Sequence, residues 1–186
     1  MPIPKGKKYT ADEFFALIPE SNSERYELIK GEIIALAAPN IVHQRISGEL
    51  SWKLREFIKR KKGRCEVFSA PTDVQLSFDT VVQPDIFIAC DPDKFDDQKY
   101  NGAPDLVVEI TSTNRSDDFI RKLALYSESG VREYWIVDTL YKRVMVYFFE
   151  QNDFPNIYTF DTPIPVGIYN GELEINIDKL MTPADS

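Results

Sequence analysis

The sequence predicts a mixed α/β (α+β) domain in which a central β-sheet is flanked by helices. The chain has 186 residues, which is about the length of a single domain. Hydrophobic residues make up 43% of it and charged residues 28%, as is usual for a globular protein. Helical and extended patterns alternate in the order helix, hairpin, helix, three strands, helix, strand, and further strands follow.

The N-terminal part predicts a short helix followed by a β-hairpin. Thr10 is a suitable N-cap for a helix over Ala11–Leu17. Two apolar segments, Tyr26–Ile29 and Glu32–Ala35, flank Lys30-Gly31, which is the two-residue spacing of a tight turn.

Direct pairing across this hairpin opposes Ile29 to Glu32 and Glu27 to Ile34. The two glutamates then lie diagonally on one face of the hairpin.

A long helix is predicted over residues 43–62, where apolar side chains recur at helical spacing. It ends in the basic run Lys59-Arg60-Lys61-Lys62, and Gly63 follows as a natural stop. Extended segments are then predicted at 65–70, 72–76, 81–89 and 106–110, with Pro84 indicating an edge or a bulge in the third. A second helix begins at Asp117 or Asp118 and stops at Gly130. Strands follow at 134–137 and 143–149, with shorter ones at 158–160 and 173–177.

The charge and the histidine content restrict the possible chemistry. The formal net charge is −8 and the pI is near 4.8, so the overall field does not attract nucleic acid. A local basic patch or bound cations can still do so. His43 is the only histidine, which excludes multi-histidine zinc and iron sites. With 30 carboxylates, any metal bound here is expected to be magnesium, manganese or calcium.

The cysteines and the hydropathy pattern predict a cytoplasmic protein. Cys65 and Cys90 are too few for a disulfide framework and are expected to be buried, reduced thiols. No apolar run approaches the roughly 20 residues of a membrane span, so no membrane association is expected.

The clearest chemical signal is a pair of carboxylates inside apolar strand segments. Asp85 stands in Gln83-Pro84-Asp85-Ile86-Phe87-Ile88, and Glu109 stands in Leu106-Val107-Val108-Glu109-Ile110. An ionised carboxylate inside a strand is costly unless a charged or hydrogen-bonding group meets it. If the two strands are neighbours, either one retained proton or a bound divalent cation resolves the repulsion between the carboxylates. Alternatively, Asp85 caps a turn after Pro84 and Glu109 occupies an exposed strand position.

An ordered set of motifs points to a known family. They are Tyr26-Glu27-Leu28-Ile29-Lys30-Gly31-Glu32, Pro84-Asp85, Val108-Glu109-Ile110, Asp118-x-x-x-Lys122-x-x-x-Tyr126 and Gly130-Val131-x-Glu133-Tyr134-Trp135-Ile136-Val137-Asp138. Together they resemble a bacterial restriction-endonuclease-like family, a domain-of-unknown-function branch of the PD-(D/E)XK nuclease superfamily.

The resemblance implies a restriction-endonuclease-like core of order α-β-β-β-α-β within one domain, residues 1–186. The core is expected at about 43–149, preceded by the helix and hairpin at 9–36 and followed by strands at 150–180. The implied function is a metal-dependent endonuclease that hydrolyses DNA phosphodiester bonds with magnesium or manganese, as a homodimer on duplex DNA. The alternative is a catalytically inactive module of the same fold that binds DNA or protein.

The resemblance also implies site residues. Asp85 and Glu109 become metal ligands, with the Ile110 backbone carbonyl as a third. The superfamily expects a lysine two residues after the glutamate, where this chain has Thr111. In the resembling branch that lysine corresponds to Lys122, which could alternatively only pair with Asp118 on a solvated helix face.

Further candidates are Glu32 as a third acidic group at the site and His43 as a residue that contacts a phosphate or orients a water. Glu32 could also be an ordinary solvent-facing hairpin residue, and His43 a surface residue at a helix start. A less favoured hypothesis is a glycoside hydrolase that uses Glu27 and Glu32 as its carboxylate pair.

The basic end of the long helix is the expected landing site for a phosphate backbone. Lys59, Arg60, Lys61 and Lys62 form its centre. A solvated helix end favoured by the helix dipole explains the same charges.

Overall fold

The computed structural model describes residues 6–18, 24–111, 116–151 and 154–182, with the backbone alone at 116–119. Its helices are α1 (Ala11–Leu17), α2 (Ile41–Lys61), α3 (Ser116–Ser129) and α4 (Ile177–Met181). Its strands are β1 (Tyr26–Ile29), β2 (Glu32–Ala35), β3 (Glu66–Ser69), β4 (Asp73–Ser77), β5 (Thr80–Val82), β6 (Ile86–Ala89), β7 (Lys99–Asn101), β8 (Leu106–Thr111), β9 (Glu133–Asp138), β10 (Arg143–Phe148), β11 (Asn156–Thr159), β12 (Ile164–Pro165) and β13 (Glu174–Ile175).

These strands form two principal mixed sheets. The larger has the order β11-β10-β9-β8-β6-β3, and β8 and β9 run parallel within it. The smaller has the order β2-β1-β5-β4-β7. Strands β12 and β13 pair separately. The predicted fold class, a mixed α/β arrangement with helices flanking the sheet, is confirmed.

The faces of the larger sheet bury different partners because successive strand residues point to opposite sides. On one face, Ile86 and Val108 pack with Leu50 of α2 and with the C-terminal segment. On the other, Phe87 and Val107 pack with Tyr126 of α3 and with the smaller sheet. Helix α1 covers the smaller sheet through a separate core. That core contains Tyr9, Ala11, Phe14, Leu28 and Val81.

The N-terminal elements follow the predicted boundaries. Thr10 caps α1 in a capping box with Glu13. The β1–β2 register pairs Ile29 with Glu32 and Glu27 with Ile34, as predicted. Lys30 and Gly31 both have positive φ, at 48° and 79°, which is the geometry of a tight hairpin turn.

The segment 81–89 is two strands, so the prediction of one continuous strand is wrong. Strand β5 belongs to the smaller sheet and β6 to the larger one. The residues between them are Gln83-Pro84-Asp85, where the proline cannot donate a ladder hydrogen bond. The chain therefore passes from one sheet to the other immediately before the first candidate carboxylate.

The C-terminal prediction also needs correction. Residues 173–177, expected as one strand, hold only the short β13, and a new helix begins at Ile177. Asn176 ends the extended segment, because its side chain accepts a hydrogen bond from Lys179 N and so caps α4.

Cys65 and Cys90 form a disulfide, so the prediction of two reduced thiols is wrong. The pairing of Glu66 with Ala89 places the two cysteines opposite one another at the end of the β3–β6 ladder. The cytoplasmic location stays a prediction and no longer rests on these residues. In the part of the chain that the structure describes, no helix has the length and apolar character needed to cross a membrane.

Candidate active site

Asp85 and Glu109 are brought together by the pairing of β6 with β8. The antiparallel register matches Ile86 with Val108, and one further step places Asp85 opposite Glu109. Glu109 shares its face with Val107, which points toward α3. The side chains of both carboxylates are largely buried, with exposed fractions of 14% and 13%.

Asp85 is held by the backbone of β8 and by the start of α2. Its Oδ2 accepts a hydrogen bond from Ile110 N at 2.7 Å and lies 2.9 Å from His43 Nε2. Asn40 caps α2 by accepting a hydrogen bond from His43 N, which sets the position of this histidine in the first helical turn. His43 Nδ1 is buried without a hydrogen-bond partner among the described residues.

Glu109 is held by two side chains of α3. Lys122 Nζ lies 2.9 Å from Glu109 Oε1, and the Tyr126 hydroxyl donates to the same oxygen at 2.7 Å. Lys122 and Tyr126 are four residues apart and therefore lie on one face of the helix. Lys122 is only 7% exposed, so its ammonium belongs to a buried cluster and is not on a solvated helix face. The side chain of Asp118, its alternative partner, lies outside the described residues.

A third carboxylate, Glu27 of β1, completes the cluster from the smaller sheet. Its side chain is 1% exposed, and its Oε1 lies 3.1 Å from Lys122 Nζ. The same oxygen accepts a hydrogen bond from Gln83 N at 3.0 Å. Gln83-Pro84-Asp85, the segment that passes from one sheet to the other, thus binds Glu27 through Gln83 N and carries Asp85 two residues later.

The electrostatics of this cluster are dominated by burial and by excess negative charge. The Lys122 ammonium contacts the carboxylates of Glu27 and Glu109, and a third carboxylate, that of Asp85, lies opposite Glu109 in the sheet. Burial raises the pKa of Glu109 to about 7, the Lys122 ammonium opposes this rise, and the charge of Asp85 adds to it. Burial also raises the pKa of Tyr126 well above its ordinary value, so its hydroxyl stays a donor.

The donor set fits a hard divalent cation that keeps several water ligands. The bonds described above use Asp85 Oδ2 and Glu109 Oε1, and each carboxylate has a second oxygen. The N–H and C=O of one strand residue point to the same side, so the Ile110 carbonyl shares the side of its N–H, toward Asp85. Within the described residues, no group of three or more His, Cys, Asp and Glu side chains forms a ready metal cage. A cation at this site would need the Ile110 carbonyl and water molecules as ligands in addition to the carboxylates.

Two sequence-predicted groups lie away from this cluster. Glu32 is exposed at the hairpin, where it pairs with Lys8 at 2.9 Å. The basic run Lys59–Lys62 lies at the opposite end of α2 from His43. A helix rises about 1.5 Å per residue, so Lys59 is about 24 Å from His43 along the helix axis. Lys61 in this run pairs with Glu172.

The sequence predicts Glu32 as the third acidic group and predicts no role for Tyr126, whereas the structure brings Glu27 and Tyr126 to the cluster. The signal for Glu27 was present, because it interrupts an apolar strand as Asp85 and Glu109 do. Tyr126 was identifiable by its i+4 spacing from Lys122. Placing the hairpin beside α3, however, requires knowing how the two sheets pack.

Comparisons with known proteins agree with this architecture. A family model described as Uma2, putative restriction endonuclease, matches residues 11–164. A solved structure described as a putative nuclease belonging to DUF820, from Anabaena variabilis, is similar with a TM-score of 0.76. The two chains are 23% identical over 92% of this chain and 97% of the other, which shows a common fold. A comparison with curated proteins finds no match. The family model covers most of the sequence, and the chain therefore belongs to the Uma2 family, described as putative restriction endonucleases.

Proposed function

We propose that this protein is a metal-dependent endonuclease that hydrolyses phosphodiester bonds of DNA. The observation that carries the proposal is the pairing of Asp85 with Glu109 on neighbouring strands, backed by a buried lysine and a third carboxylate. Asp85, Glu109 and the Ile110 carbonyl would hold magnesium or manganese. Such an ion lowers the pKa of a bound water and stabilises charge on a phosphoryl oxygen.

The protein side chains have separate tasks in this proposal. Lys122 places a positive charge beside Glu109, where it can offset the charge that develops on the scissile phosphate. Tyr126 donates to Glu109 Oε1 and fixes the orientation of this carboxylate. His43 would orient Asp85 through Nε2 from the first turn of α2.

The basic run Lys59–Lys62 would contact the backbone of the same DNA away from the cut. Its separation of about 24 Å from His43 corresponds to about seven base pairs. Glutamate substitutions at Lys59 and Arg60 should therefore weaken binding of long duplexes and reduce its salt dependence. Binding of duplexes too short to reach the run should not change. Cleavage of both strands would be carried out by a homodimer, which sedimentation on duplex DNA can detect.

The test is a cleavage assay on supercoiled plasmid with magnesium, manganese or EDTA. Asp85→Asn and Glu109→Gln proteins are compared with the parent, and Glu150→Gln serves as the control because this carboxylate is exposed and follows the end of β10 that lies away from the site. Metal-dependent nicking by the parent and by the control, with background levels in the two site variants, is the expected result.

Cleavage that persists in both site variants would contradict the assignment of the site. A parent that binds manganese by calorimetry and DNA by gel shift, but cleaves no DNA, would favour the inactive binding module. The position of Thr111, where the superfamily expects a lysine, is the observation that keeps this second candidate open.

A further inference from the structure

The turn between β9 and β10 exposes two large apolar side chains in succession. Leu140 is 58% exposed and Tyr141 is 62% exposed. Exposing two such side chains on one turn is unfavourable in water, which suggests a ligand that covers them. We call residues Thr139 to Lys142 the β9–β10 tip.

The tip is held rigidly by buried and backbone groups. The carboxylate of Asp138, a buried residue, accepts hydrogen bonds from Leu140 N and Tyr141 N at 3.2 and 3.1 Å. Its other oxygen lies 3.1 Å from Arg143 Nε, and the Arg143 guanidinium stands 5.0 Å from the centre of the Tyr141 ring. A side chain presented in a fixed orientation loses little entropy when a ligand binds it.

The tip is also fastened to the strand that carries Glu109. Thr139 N and Thr139 Oγ1 both donate to Thr111 O, at 2.9 and 2.8 Å. Thr111 lies two residues beyond Glu109 on β8, and it pairs with Asp138 of the parallel neighbour β9. The tip and the candidate active site therefore lie at the same end of the larger sheet, on adjacent strands.

The charges around the tip favour a polyanion with apolar faces. Lys142 is exposed, and Arg143 keeps 41% of its side chain exposed. The turn between β4 and β5 provides a contrast, because its exposed aromatic residue, Phe78, is followed by an acidic residue, Asp79. Nucleic acid is the ligand that offers both flat apolar bases and phosphates to such a group.

We propose that the β9–β10 tip is a wedge that enters the DNA beside the candidate active site. Tyr141 stacks on a nucleobase, Leu140 fills the opened base step, and Lys142 and Arg143 contact flanking phosphates. This inference rests on the proposed function for its substrate class, and it assigns the tip the task of unstacking the DNA next to the cut. Such a device favours flexible pyrimidine–purine steps and mismatches, which cost least to open.

The test measures DNA binding in EDTA, so that it does not depend on cleavage. Fluorescence anisotropy gives the affinity for a labelled duplex, and 2-aminopurine in the duplex reports unstacking. We expect Tyr141→Ala and Leu140→Ala each to weaken binding about tenfold and to abolish the rise in 2-aminopurine fluorescence. Tyr141→Trp should preserve both signals. Phe78→Ala, which removes an exposed aromatic residue from the contrasting turn, should change neither.

Several outcomes would overturn the wedge. Equal DNA affinity for the parent, the tip variants and Phe78→Ala would do so, as would a parent that does not bind DNA. Tip variants that alter the sedimentation coefficient but not DNA affinity would assign the tip to a contact between copies of this chain. A parent that binds and unstacks DNA through Tyr141 but never cleaves it would support the wedge and contradict the nuclease proposal.

Discussion

Lys122 is a buried cation that contacts two carboxylates of the candidate site. Its ammonium lies between the carboxylates of Glu27 and Glu109 in a buried position. Lys122→Met removes the charge but keeps most of the volume, so both carboxylates lose this compensating charge. We expect a loss of about 3 to 5 kcal/mol in the free energy of unfolding near pH 8, measured by urea denaturation.

The matched control is Lys61→Met, which breaks the exposed pair with Glu172 and should cost less than about 1 kcal/mol. Adding Glu27→Gln to Lys122→Met should recover part of the loss, because one uncompensated charge is then absent. Similar small losses for Lys122→Met and Lys61→Met would contradict the buried-cluster description.

The raised pKa of Glu109 predicts that the protein becomes less stable as pH rises. Burial raises its pKa from 4.5 to about 7, so between these values the folded chain keeps a proton that the unfolded chain has lost. The free energy of unfolding should therefore fall as pH rises through this window, by a contribution on the order of 3 kcal/mol. Glu109→Gln should abolish this contribution, and the difference between the two proteins, measured by urea denaturation across the window, isolates it.

The sequence predicts those site residues whose surroundings can be inferred from the strand that carries them. Asp85 and Glu109 each interrupt an apolar run, and the two runs are neighbours in the sheet. The choice between Glu27 and Glu32 could not be made in the same way. Both lie on one face of the hairpin, and only the packing of that face against α3 buries Glu27 while leaving Glu32 exposed.

The first turn of α2 positions His43 beside Asp85 of the candidate site. Asn40 caps this helix and accepts from the backbone N–H of His43. Asn40→Ala should cost about 1 kcal/mol of stability and reduce DNA cleavage, because the fraying turn carries His43 away from Asp85.

Thr10→Ala at the cap of α1 is the control for this effect. It should cost a similar amount of stability, since it removes the capping box with Glu13. It should leave cleavage unchanged, because α1 packs on the far side of the smaller sheet. Equal cleavage by the Asn40→Ala protein and the parent would argue against a role for His43.

Elements whose boundaries depend on local chemistry were predictable, whereas those that depend on tertiary pairing were not. Thr10 and the Lys30-Gly31 turn define α1 and the hairpin without reference to the rest of the chain. Residues 81–89 look like one apolar strand, and Pro84 indicated an irregularity. Only the pairing of β5 with β1 and of β6 with β8 shows that the chain changes sheets there.

For the whole molecule, the disulfide between Cys65 and Cys90 ties β3 to β6 at the end remote from the site. Cys90 lies five residues after Asp85 along the extended chain, which corresponds to about 17 Å. Reduction should lower the free energy of unfolding by about 3 kcal/mol, since the bridge closes a loop of 25 residues. The cleavage rate of the folded protein should stay the same.

A Cys65→Ser, Cys90→Ser double variant should match the reduced parent in urea denaturation and show no response to reductant. Loss of cleavage on reduction, without unfolding, would contradict the prediction that the disulfide at one end of β6 does not affect the candidate site at the other end. This bridge was not predictable from a separation of 25 residues, because it depends on the register that sets Glu66 opposite Ala89.

The passage of the chain between the two sheets at Gln83-Pro84-Asp85 bears on when the proposed site assembles during synthesis of the chain. Glu27 emerges from the ribosome early, Asp85 and Glu109 follow, and Lys122 comes last, 95 residues after the glutamate that it contacts. A nascent chain that has folded only its hairpin or its first strands lacks the assembled cluster. The chemistry that we propose therefore begins only after both sheets have docked, so unfinished copies should leave the DNA of the cell intact.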